Sequence, residues 1–324
     1  HRDLHYPLRR QRQMCIRDRL NNYEVFLYLI VYLPMKIKKD EVGWLLLFIA
    51  PTLILFTLFF ILPILFLLAS SFTNWDGIDA EFVGFENYIK LFNKKSFVRA
   101  ITNNLYWCIT AALITVPLGL IIALLLSHRS RGWKVFRTVL FVPQVVSSAA
   151  IAMLWAAVFN AEYGLLNFIL DNIGLSDYKN HNWLGNVRTA NAALIGFSLC
   201  YVGYFMVIML AKTASISEDY YDAAKIDGAS QIQKDFYITA PLIKSTFFLC
   251  IILAVIFNLR QFEYVYLMTA GGPANKTQVL VVYIWNELTV QRLGRGSAAG
   301  VIMIALGAML LLLLRRILKS ETYN

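Results

Sequence analysis

Charge is scarce in this chain: only 15% of the 324 residues are Asp, Glu, Lys or Arg, while 58% are hydrophobic and 14% aromatic. A soluble domain carries about 25% charged residues. With a mean hydropathy of +0.57, the sequence reads instead as an all-α, polytopic membrane protein. Catalytic signatures are absent too. No G-x-x-x-x-G-K-[ST] loop is present to cradle a nucleotide, and neither H-E-x-x-H nor G-x-S-x-G occurs, so nothing marks an enzyme. Four cysteines (Cys15, Cys108, Cys200, Cys250) and four histidines (His1, His5, His128, His181) are scattered singly, without the spacing of a disulfide framework or a metal site. Carboxylates are nearly missing from the apolar runs, which argues against a stand-alone proton-coupled carrier, since proton relays need them at depth. Of the net charge of +10, residues 1–19 supply six Arg against two Asp, and the rest is distributed as in the loops of a membrane protein, not a nucleic-acid binder.

What is present is a series of long hydrophobic runs. Residues 1–34 are set aside: Met14-Cys-Ile-Arg-Asp-Arg19 resembles a translated sequencing adapter, and Met35-Lys-Ile-Lys-Lys39 reads as a natural start. Residues 35–324 then form one membrane domain. Six spans are expected, at Gly43–Phe72, Ile101–Ser127, Val135–Phe159, Asn191–Lys212, Leu242–Phe262 and Ala298–Leu314. Each suffices for about 30 Å of hydrocarbon. Lys and Arg concentrate in the short segment His128–Arg137 and after the last span, which places both termini in the cytoplasm. Pro51, Pro63, Pro117 and Pro143 fall inside spans and are expected to kink them.

One polar island, residues 213–241, interrupts the apolar pattern. Ser217 can cap a helix whose first turn holds Glu218 and Asp219, where the helix dipole favours negative charge. Tyr220, Ala223, Ala224 and Asp227 fall at helical spacing, with both alanines expected on the exposed face. Gly228 stands where a glycine would end that helix, and Ser230 can cap the next. Small residues on an open face let another protein approach closely, so this elbow reads as a docking element.

Here the sequence resembles a known family. Asp222-Ala223-Ala224, then Gly228, Ile238 and Pro241, is similar to the EAA loop in permease subunits of binding-protein-dependent ABC importers, with Asp222 where that family usually has Glu. The segments Phe82-Val-Gly-Phe-Glu-Asn-Tyr88, Phe136-Arg-Thr through Pro143, Trp155 and Gly164-Leu-Leu-Asn167, and Met268-Thr-Ala-Gly-Gly-Pro273 with Thr277, resemble signatures of sugar-importer permeases. The last of these segments is similar to that of the first permease of maltose and glycerol-3-phosphate systems. The resemblance implies a channel-forming subunit in the bacterial inner membrane, paired with a second permease. Two ATPase subunits would dock below, and a solute-binding protein above. Glu218, Tyr221, Asp222, Ala223, Ala224, Asp227, Gly228 and Pro241 would meet the ATPase. This chain itself would bind no cofactor, ATP and Mg belonging to the ATPase.

The resemblance also points to a substrate path. Asn258, Arg260 and Gln261 fall on the sugar-contacting helix of the maltose-type permease, and Tyr201 and Tyr204 fall on positions that face the sugar there. Asn258 and Gln261 share a helix face, and amides suit sugar hydroxyls. Arg260 stands where the maltose-type permease has an amide, which argues against a neutral maltose-like ligand and admits an acidic or phosphorylated sugar. Arg260 could instead pair with Glu263 or reach the interface, and the two tyrosines could serve only packing. A non-sugar solute is the alternative cargo.

Overall fold

The computed structural model describes the backbone of residues 39–322 and the side chains of residues 47–316; the leader expected at 1–34 lies outside the described residues. Among the described residues the chain is helical, with a single isolated bridge between Thr73 and Phe82 and no strand. It divides at Pro63 into two units, one ending with the helix through 39–63 and one running from Ile64.

Four helices are long and apolar enough to span a membrane: α1 (Leu47–Ser70), α3 (Lys95–Ser127), α7 (Ala190–Thr213) and α13 (Leu293–Arg316). Two further bent pairs bring the total to as many as six if each pair counts as one span. In one, α4 (Trp133–Val145) turns by 104° into α5 (Ser148–Val158); in the other, α9 (Gln231–Leu242) turns by 67° into α10 (Lys244–Leu259). Between the spans lie α2 (Glu86–Asn93), α6 (Leu165–Asn172), α8 (Glu218–Ile226), α11 (Glu263–Thr269) and α12 (Leu280–Thr289). The expected third span, Val135–Phe159, is thus not one helix. The ladder stops three residues after Pro143, where Val146 (ψ 146°) and Ser147 (ψ 129°) are extended. Successive β-branched residues, Val145 and Val146, give that point little helical preference.

Pro51 lies inside a regular helix, whereas three other prolines act through a different device than a plain kink. Wide five-residue π-turns occupy Thr57–Ile61, Ala111–Thr115 and Asp235–Thr239. Each precedes a proline by two residues: Pro63, Pro117 and Pro241. A proline ring crowds the carbonyl four residues back and donates nothing to it. In all three cases that carbonyl belongs to the middle residue of the π-turn. Widening the ladder there re-pairs the displaced carbonyls without exposing them to lipid.

The core of the larger unit centres on α7, which packs against α3 and α4. Ala123, Phe205, Met206, Met209, Cys250 and Ala254 form one cluster. Trp107, Ala152, Phe197, Tyr264 and Val265 form a second toward the opposite end of these helices. Cys108 and Cys250 are buried free thiols, as expected, and Cys200 is half-buried. Apolar side chains such as Leu113, Leu125 and Leu312 remain exposed, as lipid-facing residues must.

Several family signatures prove to be staples of the loops. Asn87 donates to the carbonyls of Ser71 (3.0 Å) and Thr73 (2.8 Å), and the Tyr88 hydroxyl meets that of Ser71 at 2.7 Å. Thr277 bonds the Gly272 carbonyl and the Thr269 hydroxyl, closing the Gly-Gly-Pro turn. Asn103 donates to the carbonyls of Lys276 and Gln278. Asn104, fully buried, accepts from the Leu280 N–H at 2.8 Å and donates to the Asn258 carbonyl at 3.0 Å. Asn104→Leu leaves both backbone groups buried and unpaired, at about 1–3 kcal/mol each. A clearly lower unfolding midpoint in detergent is the expected result, and an unchanged midpoint would refute this stapling role.

Near the start of α13, Glu287 is buried between Lys94 (2.7 Å), Arg295 (3.7 Å) and Arg292 (4.0 Å). Burial alone would push its carboxyl up, but the Lys94 hydrogen bond and the charges of Lys94 and Arg295 hold it below the ordinary glutamate value.

Candidate functional site

The polar island folds as its end signals require. The Ser217 hydroxyl accepts from the Asp219 N–H, with Glu218 and Asp219 in the first turn of α8. At the other end, Gly228 takes φ +74°. Its N–H bonds the Lys225 carbonyl and the Ala229 N–H bonds the Ala224 carbonyl. This paired closure needs a left-handed residue, which glycine adopts at no steric cost. Ser230 and Gln233 then form a reciprocal capping box that starts α9. On α8, Lys225 pairs with Asp222 at 2.7 Å, and that hydrogen bond raises the ammonium above its ordinary value.

The two alanines do not share the exposed face. Adjacent helical residues lie about 100° apart, so when Ala223 faces outward Ala224 turns in, and it is only 9% exposed. Tyr221, three residues before Ala224, faces inward with it and meets the Thr239 hydroxyl at 2.9 Å. Glu218, Asp222, Ala223, Asp227 and Gly228 are exposed, as is Pro241 behind them. Around the elbow, Ile226, Ile232, Phe236 and Tyr237 are 70–88% exposed. An apolar rim of this kind on a polar loop marks an interaction surface.

A second feature lies among the spans: a cavity of about 220 Å³ lined by Ala111, Thr115, Gln144, Ser148, Ser198, Tyr201, Tyr204, Phe205, Phe257, Asn258, Gln261 and Tyr264. Its polar groups come from the places where four helices lose their regular ladder. Thr115 ends the π-turn of α3, and Gln144 and Ser148 flank the 104° bend. Tyr201 closes a 3₁₀ turn in α7, and Asn258 and Gln261 bracket the end of α10. Irregular backbone at membrane depth is tolerated where it lines a cavity.

Tyr201, Tyr204, Asn258 and Gln261, four of the residues the resemblance placed on a substrate path, thus line one cavity. Asn258 donates to its own helix at the Ala254 carbonyl, leaving its amide oxygen available. The Tyr201 hydroxyl is buried with no hydrogen-bond partner among the described residues. Tyr204 meets Phe257 edge to face at 5.4 Å. Arg260 is exposed at the end of α10, does not line the cavity, and forms no ion pair with Glu263 among the described residues. Gln144, Ser148, Thr115 and Ser198 were not anticipated. The one signal for them was Gln144 following a proline inside an apolar run.

The family described as "Binding-protein-dependent transport system inner membrane component" matches residues 115–321, a stretch that holds both the elbow and most of the cavity wall. The chain is similar to the sulfoquinovosyl glycerol transport system permease protein SmoG of Agrobacterium fabrum, with 33% identity over 285 residues, 85% of this chain and 90% of that protein. It is similar to the trehalose/maltose transport system permease protein MalF of Thermococcus litoralis, with 30% identity over 281 residues, 84% of this chain and 92% of that protein. In fold it resembles a chain of a bacterial ABC transporter involved in the import of the acidic polysaccharide alginate. There the TM-score is 0.75 at 25% identity, covering 88% of this chain and 97% of that one. With the signature residues in place and the spans in order, the chain belongs to the inner-membrane permease components of binding-protein-dependent transport systems.

Proposed function

We propose that this chain is one permease half of an ABC importer for an uncharged, hydroxylated solute such as a neutral sugar. It pairs with a second permease around a shared path in the bacterial inner membrane, with both termini and the elbow in the cytoplasm. A solute-binding protein delivers cargo from outside, and ATP is hydrolysed on a separate ATPase pair. The observation that carries the reading is the elbow: a short helix closed at both ends, turning Ala223 and Ile226 outward inside an apolar rim. A rigid, self-capped lever of this kind can be gripped by a nucleotide-driven partner and can transmit its movement to α7 and α10.

The cavity supports the solute class. Its wall offers amides, hydroxyls and aromatic faces, and no Asp, Glu, Lys or Arg. A carboxylate or phosphate brought there would lose its water without gaining a counter-charge, whereas ring hydroxyls would find amide partners and C–H faces would stack on tyrosine. Arg260, outside the wall, no longer argues for an acidic cargo.

The test is uptake by the reconstituted complex. Gln261→Leu and Asn258→Leu are expected to lower uptake of the neutral sugar about tenfold, the worth of one hydrogen bond to a buried partner. Arg260→Gln is expected to leave both rate and preference unchanged. A shift in preference with Arg260→Gln would overturn the uncharged-solute assignment, and full uptake in both cavity variants would remove the cavity from the path.

A further inference from the structure

A second, larger cavity lies away from the one among the spans. A hollow of about 590 Å³ lies between the segment joining α3 to α4 and the elbow. Its floor is apolar, built by Leu126, Val207, Leu210 and Ala211 from the last turns of α3 and α7, so it sits at the depth where two spans end. Its wall is basic: Arg129, Arg137, Lys225 and Lys234 line it, facing the carboxylates Glu218 and Asp235.

The partners of these groups decide what the hollow can accept. Asp235 is already engaged, by the His128 imidazole at 2.9 Å and the Gln231 amide at 3.5 Å. Lys225 is paired with Asp222. Arg137 stands over the Trp133 ring at 5.1 Å, which leaves its N–H edges free to donate. Arg129 and Lys234 have no ion-paired or hydrogen-bonded acceptor among the described residues. Lys234 is the telling residue, because it is only 9% exposed. The stem is what is packed; the ammonium itself opens into the hollow beside Arg129 and Arg137, as a snorkelling lysine does, and is placed to meet an anion there.

We infer that this hollow is an anion site for a phosphate group, held by Lys234, Arg129 and the free edge of Arg137. The guanidinium fork and the ammonium suit phosphate oxygens, and the apolar floor beside Trp133 suits an acyl chain entering at headgroup level. The shared chemistry, a phosphate, has two sources: an anionic phospholipid or a soluble phosphate. Because the hollow is walled by Glu218, Tyr221 and Lys225 of α8, whatever fills it bears on the position of the elbow. Its lining shares no residue with the cavity among the spans, and the binding test below does not depend on the transport reading.

The experiment uses the full chain purified in detergent. In one arm it is titrated with phosphatidylglycerol, against phosphatidylcholine as the zwitterionic control, and retained lipid is counted by native mass spectrometry. In the other, the chain in phosphatidylcholine nanodiscs is titrated with inorganic phosphate and its unfolding midpoint is followed. Saturable binding is expected in at least one arm, weakened about tenfold by Lys234→Met, as for loss of one charge-assisted hydrogen bond, and largely kept by Lys234→Arg. Arg129→Gln, in an exposed turn outside any helix, gives the same weakening without touching a packed residue. Binding of phosphatidylglycerol alone assigns the site to a lipid headgroup, and binding of phosphate as well assigns it to phosphate from either source. No saturable binding in either arm, or wild-type binding in both Lys234→Met and Arg129→Gln, overturns the inference.

Discussion

Ala223→Lys is expected to remove the ATPase subunit from the purified complex and reduce uptake to background, while the chain still inserts and melts as the wild type does. Ala223 is exposed and its neighbours Ile226 and Tyr220 are exposed with it, so a lysine there meets only solvent in the free chain. On the proposed docking, the same side chain would stand at the centre of the gripped surface. Truncations or intrusions at such a centre cost about 2 kcal/mol or more, some thirtyfold in affinity. The substitution also places a second cation beside Lys225 without a new carboxylate to pair it. Ala224→Lys is the contrasting control: Ala224 is buried and its carbonyl closes the helix through the Ala229 N–H. That variant is expected to lose folded protein before it loses a partner. Should Ala223→Lys carry its ATPase through purification at wild-type stoichiometry, the outward face of α8 is not where the motor holds.

The elbow was legible because its signals are local. Ser217, Gly228 and Ser230 act on backbone groups within a few residues of themselves, so reading them needs no tertiary information. Four of the expected spans were legible for the same reason, since a bilayer imposes length and apolarity on each segment separately. What escaped depended on registry between segments. The inward turn of Ala224 follows from which side of α8 meets Thr239 and Lys234, and no periodicity in nine residues reveals that. Gln144 and Ser148 became cavity residues only because the chain bends by 104° between them. Lys234 looked like one more loop lysine setting membrane orientation, and its burial appears only once α9 is folded back against the end of α3. Pro63 and Pro117 were read as kinks, although each is accompanied by a widened turn two residues earlier, while the chain does bend just after Pro143.

Two glycines of α7 are expected to respond to the same substitution with opposite sign. Gly203→Ala should lower stability by about 3 kcal/mol or more, beyond ordinary overpacking, because a Cβ at that position would overlap the backbone carbonyl of Leu140 on α4. A side chain in the way could rotate; a carbonyl inside a helix cannot, so α4 as a whole must move off α7. That movement carries Gln144, which donates to the Tyr201 carbonyl at 3.4 Å and lines the cavity, so uptake should fall together with the melting temperature. Gly196→Ala, two turns earlier, meets nothing within 4 Å and should raise stability by about 0.5–1 kcal/mol through helix propensity alone. Unfolding midpoints of the two variants in one detergent give the comparison directly. A Gly203→Ala chain that melts at or above the wild type, with uptake intact, would mean that α4 and α7 do not touch at Leu140, and the cavity wall between them would have to be redrawn.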